Sequence, residues 1–106
     1  MMRRAQLRSL ASSDIDDAMS YLTAEAGAQV ALRFINALET AVRHVSAAPN
    51  SGSLKFGYEL GIPELRAWRL KRTPYVIFYI PLDDHIDVWR VLHERRDLTA
   101  SFAFGD

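Results

Sequence analysis

The side chains best suited to chemistry gather in the second half of the chain. Arg66, Arg69, Lys71 and Arg72 put four bases into residues 65–72 with no acid among them. Downstream, Arg90 stands between Trp89 and Val91, and the cluster His93-Glu94-Arg95-Arg96-Asp97 follows. Guanidinium and ammonium groups at this density can stabilise a phosphate or hold an acidic partner, and His93 is the conventional proton-transfer group beside them. Each has a plainer reading as well. The basic run can be strand-edge charge that discourages unwanted pairing. Arg90, in an apolar run, calls for a carboxylate, with Asp97 or Glu64 as partner, and His93 can be a hydrogen-bonded structural histidine.

These residues need a sheet to hold them. Residues 75–80 and 86–92 are rich in β-branched and aromatic side chains, and Pro81-Leu82-Asp83-Asp84 between them reads as a reversal, so the pair predicts a hairpin. Strict alternation puts Val76, Phe78 and Ile80 opposite Tyr75, Ile77 and Tyr79. In the second strand it puts Ile86, Val88, Arg90 and Leu92 opposite Asp87, Trp89, Val91 and His93. Both faces are apolar, so helices should cover one, and the loop, the tail or a partner should cover the other. Residues 65–71 predict a weaker strand, and residues 3–8 a first strand near a sheet edge, flanked by arginines.

Between the first strand and the basic run the period is helical. Ile15, Ala18, Met19 and Leu22 fall at i, i+3, i+4 and i+7, with Ser9, Ser12 or Ser13 as cap and Asp14, Asp16 and Asp17 as a solvated helix start. After Gly27 a second stripe carries Val30, Phe34, Ala37, Leu38, Val42 or Ala41, and Val45. Two such helices form a hairpin that must bury both stripes against the sheet. Residues 49–64, with Pro49, Gly52, Gly57, Gly61 and Pro63, read as loop, with Phe56 and Tyr58 folding back onto the core. The tail beyond Asp97, with Phe102 and Phe104, predicts a last turn of helix or an extended arm. Trp68 and Trp89 belong to the core or to a partner-facing surface.

Composition narrows the class. The 106 residues are 49% hydrophobic and 25% charged with net charge zero, which is globular and fits one domain over 1–106. The absence of cysteine excludes a disulfide framework and thiolate metal sites, and it fits a cytoplasmic setting. The basic amino terminus lacks the apolar run of a signal peptide, and no apolar stretch approaches the ~20 residues of a spanning helix, so no membrane role is expected. His44, His85 and His93 lack metal-ligand spacing, and no glycine-rich phosphate fingerprint is present, so no metal or cofactor is expected. The order is β-α-α-β-β-β: an α+β domain with a helical hairpin on one face of a mainly antiparallel sheet.

Taken in order, Ala11-x-x-Asp14-Ile15, the helical hairpin with Phe34 and Leu38, Pro49-x-x-Gly52, Leu65-Arg66, Tyr75-Val76-Ile77-Phe78-Tyr79 and Arg90-Val91-Leu92-His93-x-x-Arg96-Asp97 resemble the ParE/RelE toxin superfamily over residues 3–98. The ParE branch is the closer match. The resemblance implies the RelE/ParE-like fold and the toxin half of a type II toxin–antitoxin pair, held as a hetero-oligomer by a cognate antitoxin. Within the superfamily, ParE-like members poison DNA gyrase, whereas RelE-like members cut mRNA on the ribosome.

Those activities ask different things of the residues. RNA cleavage needs a base for the 2′-hydroxyl, cations on the phosphate and an acid for the leaving oxygen. Arg66, Arg69, Arg90, His93 and Arg96 are the candidate set, yet the tail beyond Arg96 contains no tyrosine, histidine or lysine to complete it. Gyrase poisoning needs only a binding surface, for which Arg66, Arg69, Lys71, Arg72, Arg95 and Arg96 are the candidates, for target or antitoxin. The sequence therefore favours a binding toxin over a ribonuclease. A degenerate toxin that only binds its antitoxin is the third reading.

Overall fold

The computed structural model describes residues 3–103. Met1 and Met2 of the amino-terminal segment, and the packing expected of Phe104, lie outside the described residues. Strand β4 (His85–His93) runs through the middle of a four-stranded sheet, between β1 (Arg4–Leu7) and β3 (Tyr75–Pro81), with β2 (Arg66–Arg69) beyond β3. The β2/β3 and β3/β4 pairs are antiparallel and β1 runs parallel to β4. The expected α+β order therefore stands, with β1 at an edge. The hairpin turn closes where Leu82 N–H donates to His85 O at 2.8 Å.

Helices α1 (Ser9–Ala26) and α2 (Ala28–Ala47) lie on one face of the sheet. Gly27 makes the corner at φ +95°, a backbone region that side-chain-bearing residues rarely occupy, and its N–H donates to Leu22 O and Thr23 O. Phe34, Leu38, Ala41 and Val45 of α2 meet Tyr75, Ile77, Tyr79, Ile86, Val88 and Val91 in the main core. Ala41 rather than Val42 is the fully buried member of that stripe. The opposite face carries Val76, Phe78 and Leu92, covered by Phe56 and Leu60 of α3 (Lys55–Leu60) and by Leu98 and Phe102 of α4 (Leu98–Phe102). Residues 49–64 and the tail therefore close the second face, as expected, although the segment read as loop carries a 3-10 turn at Pro49–Ser51 and the short helix α3. Tyr58 corrects one detail: it is 67% exposed, because the short helix turns its ring outward while Phe56 turns inward.

Three further expectations are corrected, and they share a cause. First, α1 begins at Ser9 with Arg8 at its cap position and no side-chain cap, so Asp14, Asp16 and Asp17 lie beyond the first turn. Second, Asp14 is no solvated acid: it is 8% exposed, in phase with buried Ala11 and Ala18. Third, Arg90 pairs with Asp14 and not with Asp97 or Glu64. Its Nε and Nη2 donate to the two carboxylate oxygens, each at 2.8 Å, and Asp97 instead caps α4 by accepting from Ala100 N–H.

The cause is the different lengths of β1 and β4. Pairing with β1 ends at Leu7 and Val88, where Arg8 N–H makes a last bond to Val88 O and the chain turns into α1. Beyond that point β4 has an open edge, and Val91 N–H finds its acceptor in Asp14 Oδ2 at 3.0 Å. A β-bulge sits at the same place: Phe78 pairs with Arg90 and Tyr79 with Val88, so Trp89 has no opposite number. The bulge breaks strict alternation, sending Val88 and Val91 to the helices and Trp89 and Leu92 to the other face. Arg90 comes off that face pattern and spans from Asp14 on α1 to Ser101 O on α4.

The long connection after α2 is held by a buried tyrosine. Tyr79 is fully buried, its hydroxyl donates to Pro49 O at 2.8 Å, and it accepts from Gly52 N–H at 3.0 Å. A Cβ on Gly52 would stand 2.6 Å from that hydroxyl oxygen, so only glycine permits the approach. Burial raises the Tyr79 pKa above its ordinary 10.0, which keeps the hydroxyl protonated. That contribution to stability is present below pH 10 and is lost as pH rises further.

Removing Asp14 strands a guanidinium and a backbone donor in the interior, so Asp14→Ala should cost about 3–5 kcal/mol in urea unfolding. Asp16→Ala, at an exposed position, should stay within about 0.5 kcal/mol. A Tyr79→Phe change removes both tethers of the connection and should cost about 1–3 kcal/mol, with a shallower loss of stability in alkali than the parent chain shows.

Candidate functional site

One end of the sheet collects the start of β3, the end of β4 and the β2–β3 turn. Glu94 N–H donates to Pro74 O at 2.7 Å and ties the residues after β4 to that turn. Against α1 this end forms an open cleft of about 500 Å³ whose walls include Asp17 and Tyr21 of α1, Tyr75, His93, Arg95 and Arg96. Tyr75 meets Phe34 and His93 edge-on, at ring-centre distances of 4.8 and 5.3 Å. Burial, reinforced by the neighbouring Tyr21 and opposed by Arg96, raises the Tyr75 pKa above 10.0. At neutral pH its hydroxyl is a hydrogen-bonding group and not a base.

His93 is oriented by the chain itself. Its Nδ1 accepts from Arg95 N–H at 3.1 Å, which assigns the proton of the neutral ring to Nε2. In that tautomer the ring has a donor left to offer and no free lone pair, the reverse of what a general base needs.

The other expected residues divide by their bonds. The Arg66 guanidinium donates to Asn50 O and Gly52 O, both at 2.9 Å, and clasps the connection that Tyr79 also holds. Arg69 forms an ion pair with Glu94 across the end of the sheet. Arg90 is 8% exposed and belongs to the interior lock. The sheet register also sets Arg66 apart: it pairs with Tyr79 and His93 with Tyr75, four residues apart on β3, which is roughly 13 Å along a strand, whereas Arg69, opposite Val76, stands at the same end of the sheet as His93. Of the five-residue set that RNA cleavage would use, three arginines are engaged in bonds within the fold and only His93 and Arg96 line the cleft.

Lys71 and Arg72 stand on the β2–β3 turn and have no carboxylate partner among the described residues. Arg72 holds φ +62°, a left-handed conformation that is uncommon for a residue with a side chain. Sequence reasoning missed Asp14, Asp17, Tyr21 and Tyr75 as neighbours of His93 and Arg96. Asp14 carried a usable signal, because an acid in step with Ala11 and Ala18 lies on the buried stripe. Tyr75 meets His93 through the register of the β3/β4 hairpin, and Asp17 and Tyr21 arrive only through the packing of α1 on the sheet.

Among the described residues no group of three or more His, Asp or Glu side chains could hold a metal ion, and no helix is long and apolar enough to cross a membrane.

Residues 5–98 match the family described as ParE toxin of type II toxin-antitoxin system, parDE. No curated protein matches the sequence. Among solved structures, a chain described as the chromosomal ParDE TA system from P. aeruginosa is similar, with a TM-score of 0.71 at 19% identity over 87% of this chain and 96% of that one. At that identity the likeness speaks for the shared fold. The family match spans most of the chain and includes both the Asp14–Arg90 lock and the His93–Arg96 segment, so the protein belongs to the ParE toxin family of type II toxin–antitoxin systems.

Proposed function

We propose that this ParE-family chain is a single-domain cytoplasmic toxin that arrests growth by binding DNA gyrase and poisoning it, and that a cognate antitoxin neutralises it in a hetero-oligomer. The observation that carries the choice of binding over cleavage is the state of the candidate catalytic set. Arg66, Arg69 and Arg90 are committed to backbone carbonyls and carboxylates, and His93 accepts at Nδ1. Lys71, Arg72, Arg95 and Arg96 are exposed, and they form a contact surface at one end of the sheet. Gyrase as the target rests on the family.

A second surface suits the antitoxin. Ala5 and Leu7 of β1, Ile15 of α1 and Leu38 and Val42 of α2 line an apolar groove of about 440 Å³ beside the sheet's β1 edge. Leu7 is 45% exposed there. An amphipathic antitoxin helix could lay its apolar face in this groove, or an extended segment could add to the edge strand.

Expression without antitoxin should arrest growth and accumulate trapped gyrase–DNA complexes with intact transcripts, and His93→Ala should arrest growth equally well. Ribosome-dependent transcript cleavage that disappears in His93→Ala or Arg96→Ala would assign the ribonuclease activity instead, and healthy growth with soluble protein would mark a degenerate toxin. Leu7→Asp, at an already exposed position, should weaken the antitoxin complex at least about tenfold, or about 1.4 kcal/mol, in a titration. Unchanged affinity would move the antitoxin away from the β1 edge.

A further inference from the structure

The basic run does not act alone. On the far side of the β2–β3 turn, α2 presents Arg33, Asn36 and Thr40 on one helical face, and these residues line an open cleft of about 540 Å³ with Lys71, Arg72 and Thr73. Three cations from two elements converge there. No acid lines the cleft, and none of the three cations has a carboxylate partner among the described residues. Glu39 of the same helix lines the apolar groove instead, and Glu94 is held by Arg69.

We infer that this cleft is a docking site for the phosphate backbone of double-stranded DNA. Its chemistry is that of phosphate contact: two guanidinium groups, one ammonium group, the Asn36 amide and a threonine hydroxyl. Thr73 Oγ1 accepts from Tyr75 N–H and keeps its own O–H to donate. An acidic peptide would normally bring apolar anchors, yet Ala37 is the only apolar side chain in the lining. Single strands are held by stacking on aromatic rings, and no aromatic residue lines the cleft. The backbone of a duplex asks for neither.

The turn conformation fits the same reading. Arg72 occupies the left-handed region, where glycine would be at ease, so its side chain is displayed at a cost to the fold. A residue serving only the turn would have no need of a guanidinium there.

This assignment does not depend on gyrase being the target. The full chain is titrated with a short labelled DNA duplex, a single strand of the same sequence, an acidic peptide and anionic lipid vesicles, over a range of salt. Contacts from three cations predict a log–log salt slope of about −2.7, or a loss of affinity of about 40-fold between about 50 and about 200 mM salt. Arg33→Ala and Arg72→Gly should each make the slope shallower by about 0.9, whereas Lys55→Ala, an exposed cation on α3, should leave it unchanged. Arg72→Gly should also raise the thermal midpoint, which separates a lost contact from a lost fold. Wild-type slopes in both Arg33→Ala and Arg72→Gly would overturn the assignment. So would preference for the single strand, the peptide or the vesicles over the duplex.

Discussion

The contact between Asp14, Arg90 and Val91 N–H governs how the parts of this protein fit. A strand that outlasts its neighbour leaves backbone donors to satisfy, and an unpaired interior N–H costs about as much as a lost hydrogen bond. Here the acceptor comes from a helix. Asp14 takes Val91 N–H where β1 has ended, and the same carboxylate draws in the Arg90 guanidinium. Arg90 in turn holds Ser101 O of α4 on the other side of the sheet. One ionic group thereby sets the position of α1, accommodates the bulge at Trp89 and anchors the helix that closes the second core. Replacing such a pair with apolar groups can be neutral or even stabilising, but an apolar pair would leave Val91 N–H without its acceptor. The geometry therefore explains an ion pair at this position better than stability alone would.

That lock also bears on function, because it removes an arginine from the surface. The cations of this neutral chain sort by their partners. Arg66 and Arg69 hold the connection and the sheet end, Arg8 pairs with Asp87 and stacks over Trp89, and Arg90 holds the interior. Lys71, Arg72, Arg95 and Arg96 stay exposed near one end of the sheet, and Arg33 joins them from α2. A protein with no net charge thus keeps exposed cations near one end of the sheet while Asp14 and Asp87 are held by arginines. Such a surface favours charged partners and fast, salt-sensitive association. It does not by itself make a proton-transfer site.

The apolar surface shows the same division of labour. Helices α1 and α2 bury one face of the sheet, and α3 and α4 bury the other with a few aromatic contacts, such as Phe56 and Phe102 on Phe78. What stays open is the β1 side, where a four-residue edge strand lies next to an apolar groove. A short edge strand limits indiscriminate pairing while leaving room for a specific partner. The two surfaces, apolar at the β1 edge and basic at the β2–β3 turn, are separate and so can serve different partners.

The element order, the two helical stripes and the identity of the hairpin strands were legible in the sequence, because period and turn chemistry are local properties. The resemblance to the ParE/RelE superfamily was legible for the same reason, since it rests on ordered local motifs. What the sequence could not settle was how charges are matched. Asp14 and Arg90 stand 76 residues apart, and their pairing depends on β1 ending at Leu7 and on a bulge that breaks the alternation assumed for β4. Nothing local in the sequence joins Arg33 to Lys71 and Arg72; only the fold brings α2 beside the β2–β3 turn. Local sequence determined which elements form and which residues can carry charge. Tertiary structure alone decided which charges neutralise one another and which remain for a partner, because that depends on where strands end and on which elements meet across the fold.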